Sequence, residues 1–148
     1  MTRALPLLLL LCACGVARSA FEGTWTGTVT RAFQCEPLGN GSSSDFAVTA
    51  TVTPRPDGAL DVDLGDAYGC DPVLGVEQNP GLLTLGDAGC PTTDAGGITN
   101  TRTLAGGEFQ VGDAGVAALT LFEDDVGDTP QSHYICHGTS YGLLVGGD

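Results

Sequence analysis

The sequence predicts an all-β chain, a single antiparallel up-and-down β-barrel of about eight strands, with a two-sheet β-sandwich as the alternative. Three observations predict it. Stretches alternating apolar and polar residues recur at short spacing after residue 23, each is bounded by Gly, Asp, Asn or Pro, and helix signals are almost absent. Many short strands in one small domain must hide their edges, either by packing two sheets or by closing one.

The elements follow in order. Residues 24 to 35 alternate, with Trp25, Gly27, Val29, Arg31, Phe33 and Cys35 on one face and threonines on most of the other. Gly39-Asn40-Gly41-Ser42-Ser43-Ser44 reads as a flexible loop, after which Phe46, Val48, Ala50 and Val52 form the next alternation. Pro54-Arg55-Pro56-Asp57-Gly58 turns the chain into Leu60, Val62 and Leu64, a hairpin by its turn chemistry. Further strands are expected at Tyr68 to Val76, Leu82 to Leu85, Ile98 to Leu104, Phe109 to Val111, Val116 to Phe122 and Ser132 to Val145. The tetrapeptides Gly86-Asp87-Ala88-Gly89 and Gly112-Asp113-Ala114-Gly115 repeat, with Asp94-Ala95-Gly96-Gly97 as a relative. The segments between them do not match, so they are turns and not solenoid units. An up-and-down barrel needs an even strand count, so one of these nine candidates should merge or dissolve, and Phe109 to Val111 is the expected one.

The first twenty residues set the destination. Arg3 precedes the apolar run Leu5 to Leu11, which is broken by Pro6 and ends in Leu11-Cys12-Ala13-Cys14-Gly15. A charged start, a short apolar core and small residues at its end make an export signal; a membrane-spanning helix would need roughly 20 apolar residues. Leu11-Cys12-Ala13-Cys14 resembles a bacterial lipobox, which implies cleavage before Cys14 and attachment of acyl chains such as palmitate there. The expected organisation is a signal peptide at 1–13, a lipidated N-terminus and short tether at 14–22, and a barrel at 23–148. The alternative is ordinary cleavage after Ala17-Arg18-Ser19 and secretion. The expected localisation is therefore the cell envelope, outer membrane or cell surface of a Gram-negative-type bacterium, with the lipid bilayer as partner through the acyl anchor.

Either cut leaves Cys35, Cys70, Cys90 and Cys136 in the folded part. In an oxidising compartment these four should pair, and four allow three connectivities. None of them stand two to four residues apart, as zinc sites require. If the first long strand pairs antiparallel with the last, Cys35 faces Cys136 in a register that sets Trp25 opposite Gly146, leaving Cys70 to join Cys90.

Composition narrows the function. The chain has no lysine, and loss of the signal leaves eighteen acids against Arg18, Arg31, Arg55 and Arg102. That field repels phosphate backbones and disfavours nucleic acid. It also leaves the acyl group, not charge, to hold the protein at a membrane. For catalysis His133 and His137 are the only histidines; on one strand face they stand roughly 13 Å apart, too far for joint chelation or one proton relay. No nucleophile elbow, zincin or phosphate-loop motif is present in the sequence. The expectation is a protein that is not an enzyme and uses no cofactor. Glu123, Asp124, Asp125 and Asp128 gather hard oxygens as calcium would want but lack EF-hand spacing, and read better as a solvated acidic turn. Alternation aims Arg31 inward with Trp25, where a charge needs a partner; a bulge, or a place near the mouth, would instead let it reach water.

Gly23-Thr24-Trp25 opening the first strand resembles the start of a lipocalin. The resemblance implies a cup for an apolar ligand with Trp25 plugging its closed end. It is short, and the chain ends at Leu143-Leu144-Val145-Gly146-Gly147-Asp148 where that family continues into a helix. The whole chain also resembles small bacterial lipoproteins in which a lipobox is followed by Gly-Thr-Trp-Thr-Gly-Thr and a threonine- and glycine-rich barrel with four cysteines. Two functions follow. In the first, the interior is core, and the protein is a non-enzymatic surface or structural/interaction component of the envelope, with protein partners undetermined. In the alternative, Trp25, Val29, Arg31, Phe33, Phe46 and Val48 line a site for a small apolar or amphipathic ligand.

Overall fold

The computed structural model describes residues 19–37, 39, 41–129 and 132–146; the export signal and Cys14 lie outside the described residues. The strands are β1 (Gly23–Glu36), β2 (Gly41–Pro54), β3 (Leu60–Asp63), β4 (Val73–Asn79), β5 (Leu82–Leu85), β6 (Ala88–Gly89), β7 (Thr93–Ala95), β8 (Ile98–Val111), β9 (Val116–Asp128) and β10 (His133–Gly146). Every pairing is antiparallel. β5 pairs with β8 and β1 with β10, so that β1, β2, β3, β4, β5, β8, β9 and β10 form a ring of eight, while β6 and β7 pair with β8 outside it. Closure follows the register expected from alternation: Trp25 lies opposite Gly146 and Cys35 opposite Cys136.

The ring is uneven. Five strands run 13 or 14 residues, whereas β3 and β5 have four and β4 has seven. Above the low wall the chain fills in with the segments 64–72 and 86–97, joined by the Cys70–Cys90 disulfide; Cys35–Cys136 ties the first strand to the last.

The expected merger occurs, and two other expectations about single elements change. Phe109 to Val111 and Ile98 to Leu104 are one strand, β8, interrupted by a bulge between Leu104 and Gly106. Gly106 holds φ +120° there, a backbone state that side chains oppose, so the glycine permits the bulge. The Gly41–Ser44 stretch is not a free loop but the start of β2, because β1 is long enough to offer it a partner backbone as far as Gln34. The strand expected from Tyr68 begins only at Val73; Gly65 and Gly69, both at positive φ, keep the preceding segment in turns.

The lower interior is packed core. Trp25 is 1% exposed, its Nε1 donates to the Phe21 carbonyl at 2.8 Å, and its ring meets Phe109 edge-on at 5.3 Å. Phe21 itself lies under Phe109, ring centroids 6.1 Å apart, so the N-terminal segment closes this end. Val29, Val48, Leu83, Leu104, Leu119, Leu121 and Leu144 fill the space above. Each comes from the inward face of its strand, as the period of two requires.

Candidate functional site

Moving up the same inward faces, the side chains change from apolar to charged. β1 goes from Val29 to Arg31, Phe33 and Cys35, and β9 from Leu119 and Leu121 to Glu123 and Asp125. The β1–β10 and β10–β9 registers put Phe33, Gly138 and Glu123 in one row and Cys35, Cys136 and Asp125 in the next, to which β8 adds Arg102. Gly138 makes room for Phe33 here: a Cβ on it would stand 2.5 Å from the Phe33 ring, which would have to shift.

Arg31 has its partner inside. The Glu123 carboxylate is fully buried and pairs with the Arg31 guanidinium through Oε2, while Ser140 Oγ donates to Oε1. No bulge interrupts β1 at Arg31 in either ladder, so alternation prevails over the route to water. The guanidinium also lies over the Phe33 ring, 4.5 Å from its centroid, a cation–π contact that makes up part of the lost hydration. Arg31 Nε is buried without a hydrogen-bond partner.

Tyr68, carried on the loop over the low wall, drops its ring into the upper interior, edge-on to Phe46 at 5.4 Å and 5.9 Å from each of the Arg31 and Arg102 guanidiniums. Its hydroxyl is buried and outside hydrogen-bond geometry to any group. Burial pushes its pKa up to about 12, with nearby Ser140 opposing the shift. Arg102 Nη2 donates to the Tyr68 carbonyl and approaches Cys70 Sγ at 3.6 Å, which fastens the loop to β8.

Arg102 and Asp125 stand directly opposite each other across β8 and β9. Among the described residues Asp125 takes part in no ion pair or side-chain hydrogen bond. Burial raises its pKa, against the pull of Arg31 and Arg102. Burial, and then Arg31, lower that of Arg102. Both side chains line a cavity of about 280 Å³ at the rim, together with Pro91, Thr93 and Asn100. Asn100 Oδ1 accepts from Tyr134 Oη at 2.6 Å.

The six residues expected to line an apolar site divide between two environments. Trp25, Val29 and Val48 belong to the packed core, whereas Phe33 lies against the Arg31 guanidinium and Phe46 and Arg31 lie beside Tyr68. The acidic run is a correction: it is not a turn but the end of β9, so Glu123 and Asp125 face in while Asp124 and Asp128 face out. Asp124 bonds His137 Nδ1 and Asp128 bonds His133 Nδ1, each at 2.6 Å on the exposed surface. The calcium candidate is thus split across the sheet, and no group of three or more metal-ligating side chains occurs among the described residues. Glu123, Asp125, Arg102, Ser140 and Tyr68 escaped the sequence reading as a set. Continuing the β9 alternation past Phe122 would have found the two acids.

Outward positions on β1, β9 and β10, including Gln34, Phe122, Asp124, His137 and Thr139, line a shallow depression of about 750 Å³. Further along β10, Tyr141, Leu143 and Val145 point outward, Leu143 being 66% exposed. Comparison with protein-family models, curated proteins and solved structures finds no match.

Proposed function

We propose that this chain is an exported envelope lipoprotein, held to a lipid bilayer by acylation at Cys14, whose barrel is a non-enzymatic structural or interaction module working through its outer surface. The observation that carries the reading is the occupied interior. Ligand-holding cups keep a concave, largely apolar space of some hundreds of Å³. Here Trp25, Phe21, Phe109 and the aliphatic layer fill the lower barrel, and the Arg31–Glu123 pair with Tyr68 fills the level above. The outward Tyr141, Leu143 and Val145 give the exterior an apolar strip, flanked in register by Thr26, Thr28 and Thr30 on one side and Val116, Ala118 and Thr120 on the other. No acid interrupts these three rows, in a chain whose formal charge is −13.

Export is supported by the apolar run and its Leu11-Cys12-Ala13-Cys14 ending, and two disulfides suit an oxidising compartment. Acyl chains gain roughly 0.8 kcal/mol per buried methylene, so more than one makes a stable anchor. Mass spectrometry of the mature N-terminus tests the anchor: a diacyl- or triacyl-modified Cys14 is expected, and a free terminus near Ala20 contradicts it.

A further inference from the structure

We infer that the rim cavity between β8 and β9 is a binding site for a small zwitterion of the α-amino-acid type, its carboxylate received by Arg102 and its ammonium by Asp125. The site lies outside the packed core, so it is independent of the anchoring and exterior role proposed above. Two opposite charges set directly across a ladder would ordinarily close on each other. These do not: no ion pair joins them, because Arg102 is drawn aside by its bond to the Tyr68 carbonyl on the disulfide-bearing loop. Both remain partly buried, and burial works against the charged form of each. The loop therefore holds a guanidinium and a carboxylate apart, facing one cavity, and leaves the carboxylate short of the compensation a buried charge needs.

The chemistry selects the ligand. A simple anion at Arg102 would meet the Asp125 carboxylate, and a simple cation at Asp125 would meet the guanidinium. Only a molecule carrying both signs a short distance apart satisfies the two together. Guanidinium suits a carboxylate because its fork matches the two oxygens. Thr93 and Asn100 add neutral hydrogen-bonding groups, and Asn100 is held in place by Tyr134. At about 280 Å³ the space falls just below the usual size of drug-sized ligand sites, which favours a compact molecule over a peptide or a lipid.

The test is calorimetric titration of the folded, disulfide-intact protein with glycine, L-alanine, acetate and methylammonium. Saturable binding of glycine or alanine is expected, with acetate and methylammonium at least tenfold weaker. Asp125→Asn and Arg102→Lys should each weaken amino-acid binding at least tenfold, the first by removing the ammonium acceptor and the second by replacing the fork with a point charge. Trp25→Phe, at the opposite end of the barrel, should leave it unchanged. If Arg102→Lys does not fold, Asp125→Asn decides, since among the described residues that carboxylate makes no hydrogen bond whose loss could unfold the protein. Failure of both amino acids to saturate, acetate or methylammonium binding as tightly as glycine, or wild-type affinity in Asp125→Asn would each overturn the inference.

Discussion

Replacing Glu123 by Gln keeps the side chain's shape and removes the one charge that Arg31 touches inside the barrel. Glu123 shows no side-chain exposure and Arg31 only 15%, so the guanidinium would be left with little water to turn to. Removing one partner of a buried pair costs about 3–5 kcal/mol. The small exposure of Arg31 and the neighbouring Asp125 argue for the lower end, about 3 kcal/mol. Gln can still accept from Ser140 Oγ, so the loss reports chiefly the charge and not that hydrogen bond; Ser140→Ala, which removes a donor to a buried carboxylate, should cost about 1.5–3 kcal/mol by itself. Replacing the pair together, Arg31→Met with Glu123→Leu, removes both charges and should cost far less than the two single changes summed, because well-packed apolar substitutes for buried pairs are often neutral. Urea unfolding at pH 7 with disulfides intact supplies the assay, read as a shifted midpoint at constant slope. A loss below about 1 kcal/mol for Glu123→Gln, as expected of a surface pair, or strict additivity of the two single changes, would refute the reasoning.

Removing the Cys35–Cys136 bridge by double Ser substitution should lower stability by about 4.7 kcal/mol, given its separation of 101 residues, against about 3 kcal/mol for Cys70–Cys90 at a separation of 20; denaturant unfolding of both variants checks the order, and the reverse order contradicts it. Asp125→Asn should stabilise the barrel at pH 7 and lose that gain below about pH 4. The sign follows from burial, which raises the folded-state pKa against the pull of Arg31 and Arg102 and makes the ionised carboxylate a cost that vanishes on protonation; a gain that grew in acid would contradict it. Tyr68, with its phenol pushed up to about 12, contributes stability that is intact below its ordinary value near 10 and lost as pH rises between the two. Tyr68→Phe should delete the late step of the alkaline absorbance titration, and an unchanged curve contradicts its burial.

Much of the barrel was legible because the period of two is a local signal. The β1 alternation placed Trp25, Val29 and Arg31 inside without reference to any other strand, and extending it to the last strand gave the closing register of Cys35 with Cys136. What escaped depends on partners distant in sequence. Gly41–Ser44 carries no strand propensity, and it is extended because β1 supplies its hydrogen bonds. Glu123-Asp124-Asp125 looks like a turn by composition, and becomes strand because β8 and β10 flank it and because Arg31, 92 residues away, receives its inward charge. The rim site required the disulfide-held loop to bring Tyr68 above the low wall, a placement that no local pattern encodes.

The most direct test of the filled interior is the fluorescence of Trp25, the chain's single tryptophan, during titration with fatty acids and other hydrophobic probes. The account predicts an emission that does not change with added probe, and predicts that Trp25→Ala destabilises by about 3–5 kcal/mol with no probe restoring the loss. A saturable micromolar response to any one probe, weakened by Trp25→Ala, would contradict it and make the barrel a ligand-holding cup.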